Sequence, residues 1–302
     1  MPPIISVRNL RKTYGNTIAV DDISFEVAEG EIFGFLGPNG AGKTTTIECL
    51  QALRRPDSGM MRVLGLDPMH ESRAVRQRIG SQLQESALPD RIKVWEALDL
   101  FASVSPDAAD WHVLLAQWGL AEKRKASFSN LSGGQKQRLF VALALVNNPE
   151  CVFLDEMTTG LDPAARRVAW DLIRAIRDKG ATVVLVTHFM DEAENLCDRV
   201  AVVDHGRIVA SDTPRGLIAR HTSEVRVIFS TNVADLAFLK NVPGVTAVTK
   251  RGSQVDVWGS GPVLALTAVA LVEHGIVPAD LRVERPNLED VFLKLTGHAA
   301  GE

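Results

Sequence analysis

Cysteine is scarce: Cys49, Cys151 and Cys197 are the only three in 302 residues, far apart and with no CxxC or CxxH pairing. That excludes a disulfide framework and a cysteine-based zinc site, and it fits a reducing, cytoplasmic setting. Long hydrophobic runs are missing as well. Stretches such as Val263 to Val272 fall well short of the roughly 20 residues that a membrane-spanning helix needs. The start, MPPIISVRNLRKTYG, meets Arg8, Arg11 and Lys12 before any apolar run, so no secretory signal is expected. Neither sign of charge is in large excess. With a formal net charge of -4 the chain lacks a broad positive field, and nucleic acid is not expected as a partner. Aromatics make up only 6 %, with one tyrosine, but 46 % hydrophobic and 23 % charged residues are ordinary for a chain with a real core. The length suits two domains.

Residues Ile4 to Leu10 and Ile23 to Val27 alternate apolar and polar side chains, which predicts an antiparallel edge of half-buried strands. Glu31 to Leu36 (EIFGFL) is an apolar run followed by a Gly-rich turn and a predicted helix, Thr44 to Leu53. The runs Cys151 to Leu154 and Thr182 to Val186 read as buried strands separated by a helix, Pro163 to Lys179, and so predict a parallel sheet covered on both faces. Strand signals vanish from Leu88 to Asn148, which predicts an inserted helical subdomain over about 88–148. The pattern changes again near His221. Strands at Val225 to Phe229, Val245 to Thr249, Gln254 to Trp258 and Leu281 to Glu284, with helices at Val233 to Lys240 and Val263 to His274, follow the order of a ferredoxin-like split βαβ motif. A last helix is predicted over Leu288 to Leu295. The expected division is residues 1–220 and 221–302.

Gly37-Pro38-Asn39-Gly40-Ala41-Gly42-Lys43-Thr44 satisfies the P-loop pattern in the required place, after a strand and opening a helix. Glycines let successive N–H groups turn inward and form an anion cradle at the positive end of the helix. Lys43 would bridge the outer phosphates of ATP and Thr44, followed by Thr45, would offer its hydroxyl to Mg2+. Magnesium takes hard oxygen ligands, and Asp155 ends the strand CVFL, expected beside the end of the P-loop strand. Glu156, next to it, is placed to polarise the water that attacks the γ-phosphate.

Leu131-Ser132-Gly133-Gly134-Gln135 precedes that strand. A serine and two glycines at a helix start make a second anion-binding end. Together with the P-loop this motif resembles the signature of ABC ATPases, and the resemblance runs from about Ile4 to Leu217. It implies an α/β P-loop NTPase fold: an ABC cassette with a mixed sheet, an antiparallel edge and a helical subdomain, followed here by the small α+β ferredoxin-like C-terminal domain. It also implies that Tyr14 stacks on adenine, that Gln84 senses the γ-phosphate and metal, that Asp162 in Gly160-Leu161-Asp162-Pro163 sits at the dimer contact, and that His188 contacts the γ-phosphate. Gln82 stands close enough to Gln84 to be its alternative, and Tyr14 has the alternative of a plain edge aromatic. Met157 departs from the family, which usually has proline after the catalytic glutamate, and is expected to loosen the turn toward Asp162.

The segment Pro286 to Gly297 (PNLEDVFLKLTG) resembles the end of the ATPases that serve ABC-2-type exporters, including the daunorubicin-resistance branch. The family implies a head-to-tail dimer of cassettes in which each ATP meets the partner's Ser132 to Gln135. It further implies a separate ABC-2-type membrane permease, and a position at the inner face of the cell membrane. The alternatives are an importer ATPase or a non-transport ABC ATPase acting on ribosomes or nucleic acid.

Overall fold

The computed structural model describes residues 2–82, 87–221 and 224–297. Two compact units divide the chain, one running to Pro214 and the other covering Arg215–Gly297.

The first unit begins with β1 (Ile5–Tyr14) and β2 (Thr17–Val27), then β3 (Ile32–Leu36), α1 (Lys43–Leu50), β4 (Ser58–Val63), α2 (Ser72–Arg78) and β5 (Ile79–Gln82). Strands β2, β1 and β4 form a three-stranded antiparallel sheet. The first two strands run further than their alternation predicts. Register shifts follow Val7, Leu10 and Lys12, so the side-chain alternation breaks while pairing continues to Tyr14 and Thr17. Helices α3 (Val94–Ser103), α4 (Trp111–Gln117) and α5 (Gly133–Ala144) then form the helical insert. After it come β6 (Cys151–Asp155), α6 (Pro163–Asp178), β7 (Thr182–Thr187), α7 (Met190–Leu196), β8 (Arg199–Asp204) and β9 (Arg207–Asp212).

The main sheet has the order β5-β6-β7-β3-β8-β9, parallel except for the last strand. Every residue of β3, β6 and β7 is buried, as expected of central parallel strands covered on both faces. Phe25, Phe33 and Phe35 knit this sheet to the antiparallel one, with ring centroids 4.9 to 5.8 Å apart. Strand order corrects one expectation: β7 lies between β3 and β6, so Asp155 is not on the neighbour of the P-loop strand. Register still brings the three ends level, with Leu36 opposite Thr187 and Asp155 opposite Val186. The carboxyl ends of the central strands thus open into one crevice, the usual place for a ligand in such sheets.

Helix α8 (Pro214–His221) leads into β10 (Val225–Ser230), β11 (Val245–Arg251), β12 (Gln254–Gly259), α9 (Val263–Glu273), β13 (Arg282–Glu284) and α10 (Leu288–Thr296). The sheet order is β11-β12-β10-β13 with antiparallel neighbours, and Val227, Phe229, Val255, Val257 and Leu271 form its core. The helix expected over Val233 to Lys240 is only a 3-10 turn, Ala237–Asn241. Thr231 accepts the N–H of Val233 at 3.2 Å and Asp235 that of Ala237 at 3.0 Å, local bonds that compete with a helical ladder. In α10, Leu288, Val291 and Phe292 are buried, and Asn287 and Asp290 close a capping box at its start.

Candidate nucleotide site

The loop from Gly37 to Gly42 links the end of β3 to α1 so tightly that side chains are excluded at two points. A Cβ on Gly37 would meet the Val203 carbonyl oxygen at 2.2 Å, and one on Gly42 would meet that of Ala19 at 2.1 Å. Gly42 also holds a left-handed φ of 96° at the cap of α1. No side chain stands in the way at these two points, and the first N–H groups of a helix have no partner within it. The Lys43 ammonium is held across the loop by the carbonyls of Gly37, 2.6 Å away, and Pro38, 2.9 Å away. Burial lowers the Lys43 pKa, and the nearby charges of Glu156 and Asp155 oppose that shift.

Thr44 donates its hydroxyl to Oδ2 of Asp155 at 3.3 Å, joining α1 to the end of β6. The other carboxylate oxygen, Oδ1, is buried without a hydrogen-bond partner. Burial, reinforced by the charge of Glu156, raises the Asp155 pKa to about 6. A carboxylate with one oxygen bonded to a threonine hydroxyl and the other buried and unpartnered suits a hard cation. Among the described residues no cluster of three or more His, Cys, Asp or Glu side chains could hold a metal by itself.

Glu156 extends β6 by one residue and turns sharply, with a φ of 50°, while its N–H donates to the Val186 carbonyl at 2.9 Å. His188 follows β7, and its Nδ1 lies 3.2 Å from Glu156 Oε1. Lys43, Thr44, Asp155, Glu156 and His188 are therefore brought to one place. Tyr14 ends β1 and is 42 % exposed, with the Lys12 ammonium and the Arg54 guanidinium both over its ring, 5.6 and 5.2 Å from the centroid.

Ser132 caps α5: its hydroxyl accepts the Gln135 N–H at 3.3 Å, and its own N–H donates to Gln135 Oε1 at 3.0 Å. Gly133 and Gly134 follow in the first turn. Asp162 caps α6, accepting from Ala164 at 3.0 Å and Ala165 at 2.8 Å, with Pro163 in the first helical position. Gln84 lies outside the described residues; Gln82, at the end of β5, is buried. Met157 is also buried, at 2 % exposure, and lines a small groove together with Trp118, Val141 and Leu161. Sequence reasoning missed Glu192, fully buried on α7 close to this site. Its one sequence signal, an acidic residue in MDEAENL, is indistinguishable from a solvated helix face.

Residues 20–159 match the ABC transporter family. Over 98 % of its length the chain is 40 % identical to the Nod factor export ATP-binding protein I of Ralstonia nicotianae, covering 94 % of that protein. It is 38 % identical to the daunorubicin resistance ATP-binding protein DrrA3 of Streptomyces coeruleorubidus, across 97 % of this chain and 96 % of that one. Among solved structures, the ATP-binding subunit of an ABC transporter superimposes with a TM-score of 0.66 at 26 % identity, over 72 % of this chain and 92 % of the other. A cassette solved as a dimer in a post-hydrolysis state with ADP and phosphate gives 0.64 at 25 % identity, over 69 % and 98 %. The chain belongs to the ABC transporter family, as an ATP-hydrolysing ATP-binding cassette.

Proposed function

We propose that this ABC ATPase works as a pair of cassettes on the inner face of a membrane, where it energises export of a small molecule through a separate ABC-2-type permease. The observation that carries the reading is the assembled set of Lys43, Thr44, Asp155, Glu156 and His188, in a chain similar over nearly all its length to proteins named for Nod factor export and daunorubicin resistance. Lys43 and the N–H groups of the loop hold the phosphates. Thr44 and Asp155 hold Mg2+, which when bound neutralises charge building on the phosphate oxygens. Glu156 orients the attacking water and accepts its proton, and His188, beside it, contacts the γ-phosphate. The start of α5 over Ser132 to Gln135, exposed at Ser132 and Gly133, suits the partner cassette's γ-phosphate. A similar cassette captured as a dimer supports this pairing. Closure follows because contacts to the γ-phosphate exist only in the closed pair, and hydrolysis removes them.

The permease has a suitable seat. A cleft of about 430 Å³ beside Gln82 is walled by Leu53, Phe101 and Val104, which are 50 %, 40 % and 75 % exposed. Apolar groups in the open at such a place suit a cytoplasmic helix of the partner. Among the described residues no helix is long and apolar enough to cross a membrane. For the Arg215–Gly297 unit, a ferredoxin-like arrangement with a shortened first helix is supported by the strand order β13-β10-β12-β11.

The test is copurification from detergent-solubilised membranes, comparing the native chain with Phe101→Asp. A stoichiometric partner with several membrane spans, lost in Phe101→Asp while ATP affinity is kept, is the expected result. Recovery of only ribosomal or soluble partners would sink the exporter reading and leave the ATPase standing.

A further inference from the structure

Helix α6, which starts at Asp162, and helix α7, which starts just after His188, are tied by polar contacts that nucleotide handling leaves unused. The Trp170 indole N–H donates to Oε1 of Glu192 at 3.1 Å. One turn earlier on α6, Arg166 lies over the ring of Phe189, 4.1 Å from its centroid, and pairs with Asp191 at 3.4 Å. One turn later, Arg174 donates to the Asn195 carbonyl at 3.1 Å. Three successive turns of α6 thus grip the segment that begins at Phe189, the residue next to His188.

Glu192 is the centre of this contact. It is 0 % exposed, an unusual place for a carboxyl group unless it is well paired. Burial raises its pKa, and the neighbouring Thr187, Thr158, Trp170 and Arg166 side chains oppose that shift. Thr187 immediately precedes His188, and Thr158 lies two residues past Glu156. Thr187 is itself fixed, accepting the Phe189 N–H at 3.0 Å. The carboxyl group therefore ties α7 to the helix capped by Asp162 through its bond to Trp170, while its Oε2 and the Thr158 hydroxyl are buried without a hydrogen-bond partner.

We propose that Glu192 is a positioning residue that locks the His188 segment to α6, so that a displacement of Asp162 at the cassette interface is passed within the same chain to His188. The physical basis is that a fully buried carboxyl group bonded to an indole, flanked one turn either way by the Arg166–Asp191 pair and the Arg174–Asn195 bond, has a narrow range of low-energy positions, whereas a solvated or apolar contact slides. Without the lock, His188 keeps its chemistry but loses its fixed distance to the γ-phosphate, and misplacement by about 1 Å can lower a rate by as much as about a hundredfold. The proposal rests on His188 acting in hydrolysis, as the preceding section reads it.

The experiment is single-turnover ATP hydrolysis by the full chain carrying Glu192→Ala, Glu192→Gln or Trp170→Phe, each alone and combined with His188→Ala. Trp170→Phe removes the same hydrogen bond from the other side while keeping the ring, and so remains informative if Glu192→Ala fails to fold. Expected is a fall in kcat of about tenfold or more for Glu192→Ala and Trp170→Phe, with KM for ATP little changed. Glu192→Gln, whose amide oxygen still accepts from the indole, should recover most of that loss. In the His188→Ala background neither change should lower the rate further, because both act through the missing imidazole. An undiminished kcat in folded Glu192→Ala, or a full additional loss in the His188→Ala background, overturns the lock while leaving the site intact. Normal turnover by His188→Ala alone overturns the reading of the site and the lock with it.

Discussion

Nδ1 of His188 lies 3.2 Å from Oε1 of Glu156, although the two residues leave different strands of the sheet. Neither strand points its last side chain at the other by default. Glu156 achieves it with a left-handed backbone, φ 50°, held by its N–H bond to Val186. A non-glycine residue in that region costs about 1 kcal/mol or more. The strain aims the carboxylate across the crevice toward the histidine and away from solvent.

If Glu156 orients the attacking water, Glu156→Gln should keep ATP binding and lose turnover by roughly 10²-fold or more. The amide retains the shape but accepts no proton at the pH of the assay. ATP should then accumulate in a dimer, visible as an ATP-dependent shift in gel filtration. Normal turnover would assign the water to another residue.

Lys43→Ala tests the phosphate cradle. The ammonium is held by two loop carbonyls at 2.6 and 2.9 Å, so its third proton and its charge are available to a phosphate oxygen. Hydrogen bonds to charged groups contribute about 1.5–3 kcal/mol, which corresponds to a loss of about ten- to a hundredfold in ATP affinity. Isothermal titration with ATP measures it, and an unchanged affinity would remove Lys43 from the site.

Much of this site was legible in the sequence because its parts are local. The P-loop, the pair Asp155 and Glu156, the helix start at Ser132 and the cap at Asp162 each lie within one strand-to-helix or loop-to-helix junction, where chemistry and position are written side by side. The order of strands was not legible, because burial and apolar runs identify β6 and β7 as central without saying which stands next to β3. The extra length of β1 and β2 was hidden by bulges that break the alternation. Glu192 was hidden for a different reason: its role depends on Trp170, Thr158 and Thr187, distant in sequence, which no periodicity on α7 could reveal.

Asp155 gives a pH dependence. Its folded pKa, about 6, stands above the ordinary value near 4 that the unfolded chain would show. Between those values the folded state binds the extra proton, so this group's contribution favours folding at low pH and is lost as pH rises from about 4 to about 6. Without Mg2+ and nucleotide, Asp155→Asn should therefore be more stable than the native chain at pH 7, with the difference shrinking toward pH 4. Urea unfolding at the two pH values checks it. A difference independent of pH would mean that Asp155 is not held unfavourably ionised.

Met157 occupies a position where a looser turn was expected from the loss of proline, yet it is 2 % exposed and lines a small groove together with Trp118, Val141, Leu161 and Leu172. The residue after Glu156 is thus anchored between the signature helix α5 and helix α6 by packing, where a proline would act through backbone restriction. Burying a methionine commonly contributes more than 2 kcal/mol to stability relative to alanine, and truncation leaves a void that the surroundings fill only in part. A groove of about 150 Å³ already borders this side chain, which gives the site room to relax. Met157→Ala should therefore fall at the lower end, about 2 kcal/mol, while Met157→Leu should stay within about 1.5 kcal/mol because volume is conserved. Urea unfolding at constant m-value measures both. Because the anchor sits one residue from Glu156, Met157→Ala should also lower kcat more than it raises KM for ATP. A stable variant with unchanged kinetics would show that the turn is held by the Glu156 N–H bond and the cap at Asp162 without help from this side chain.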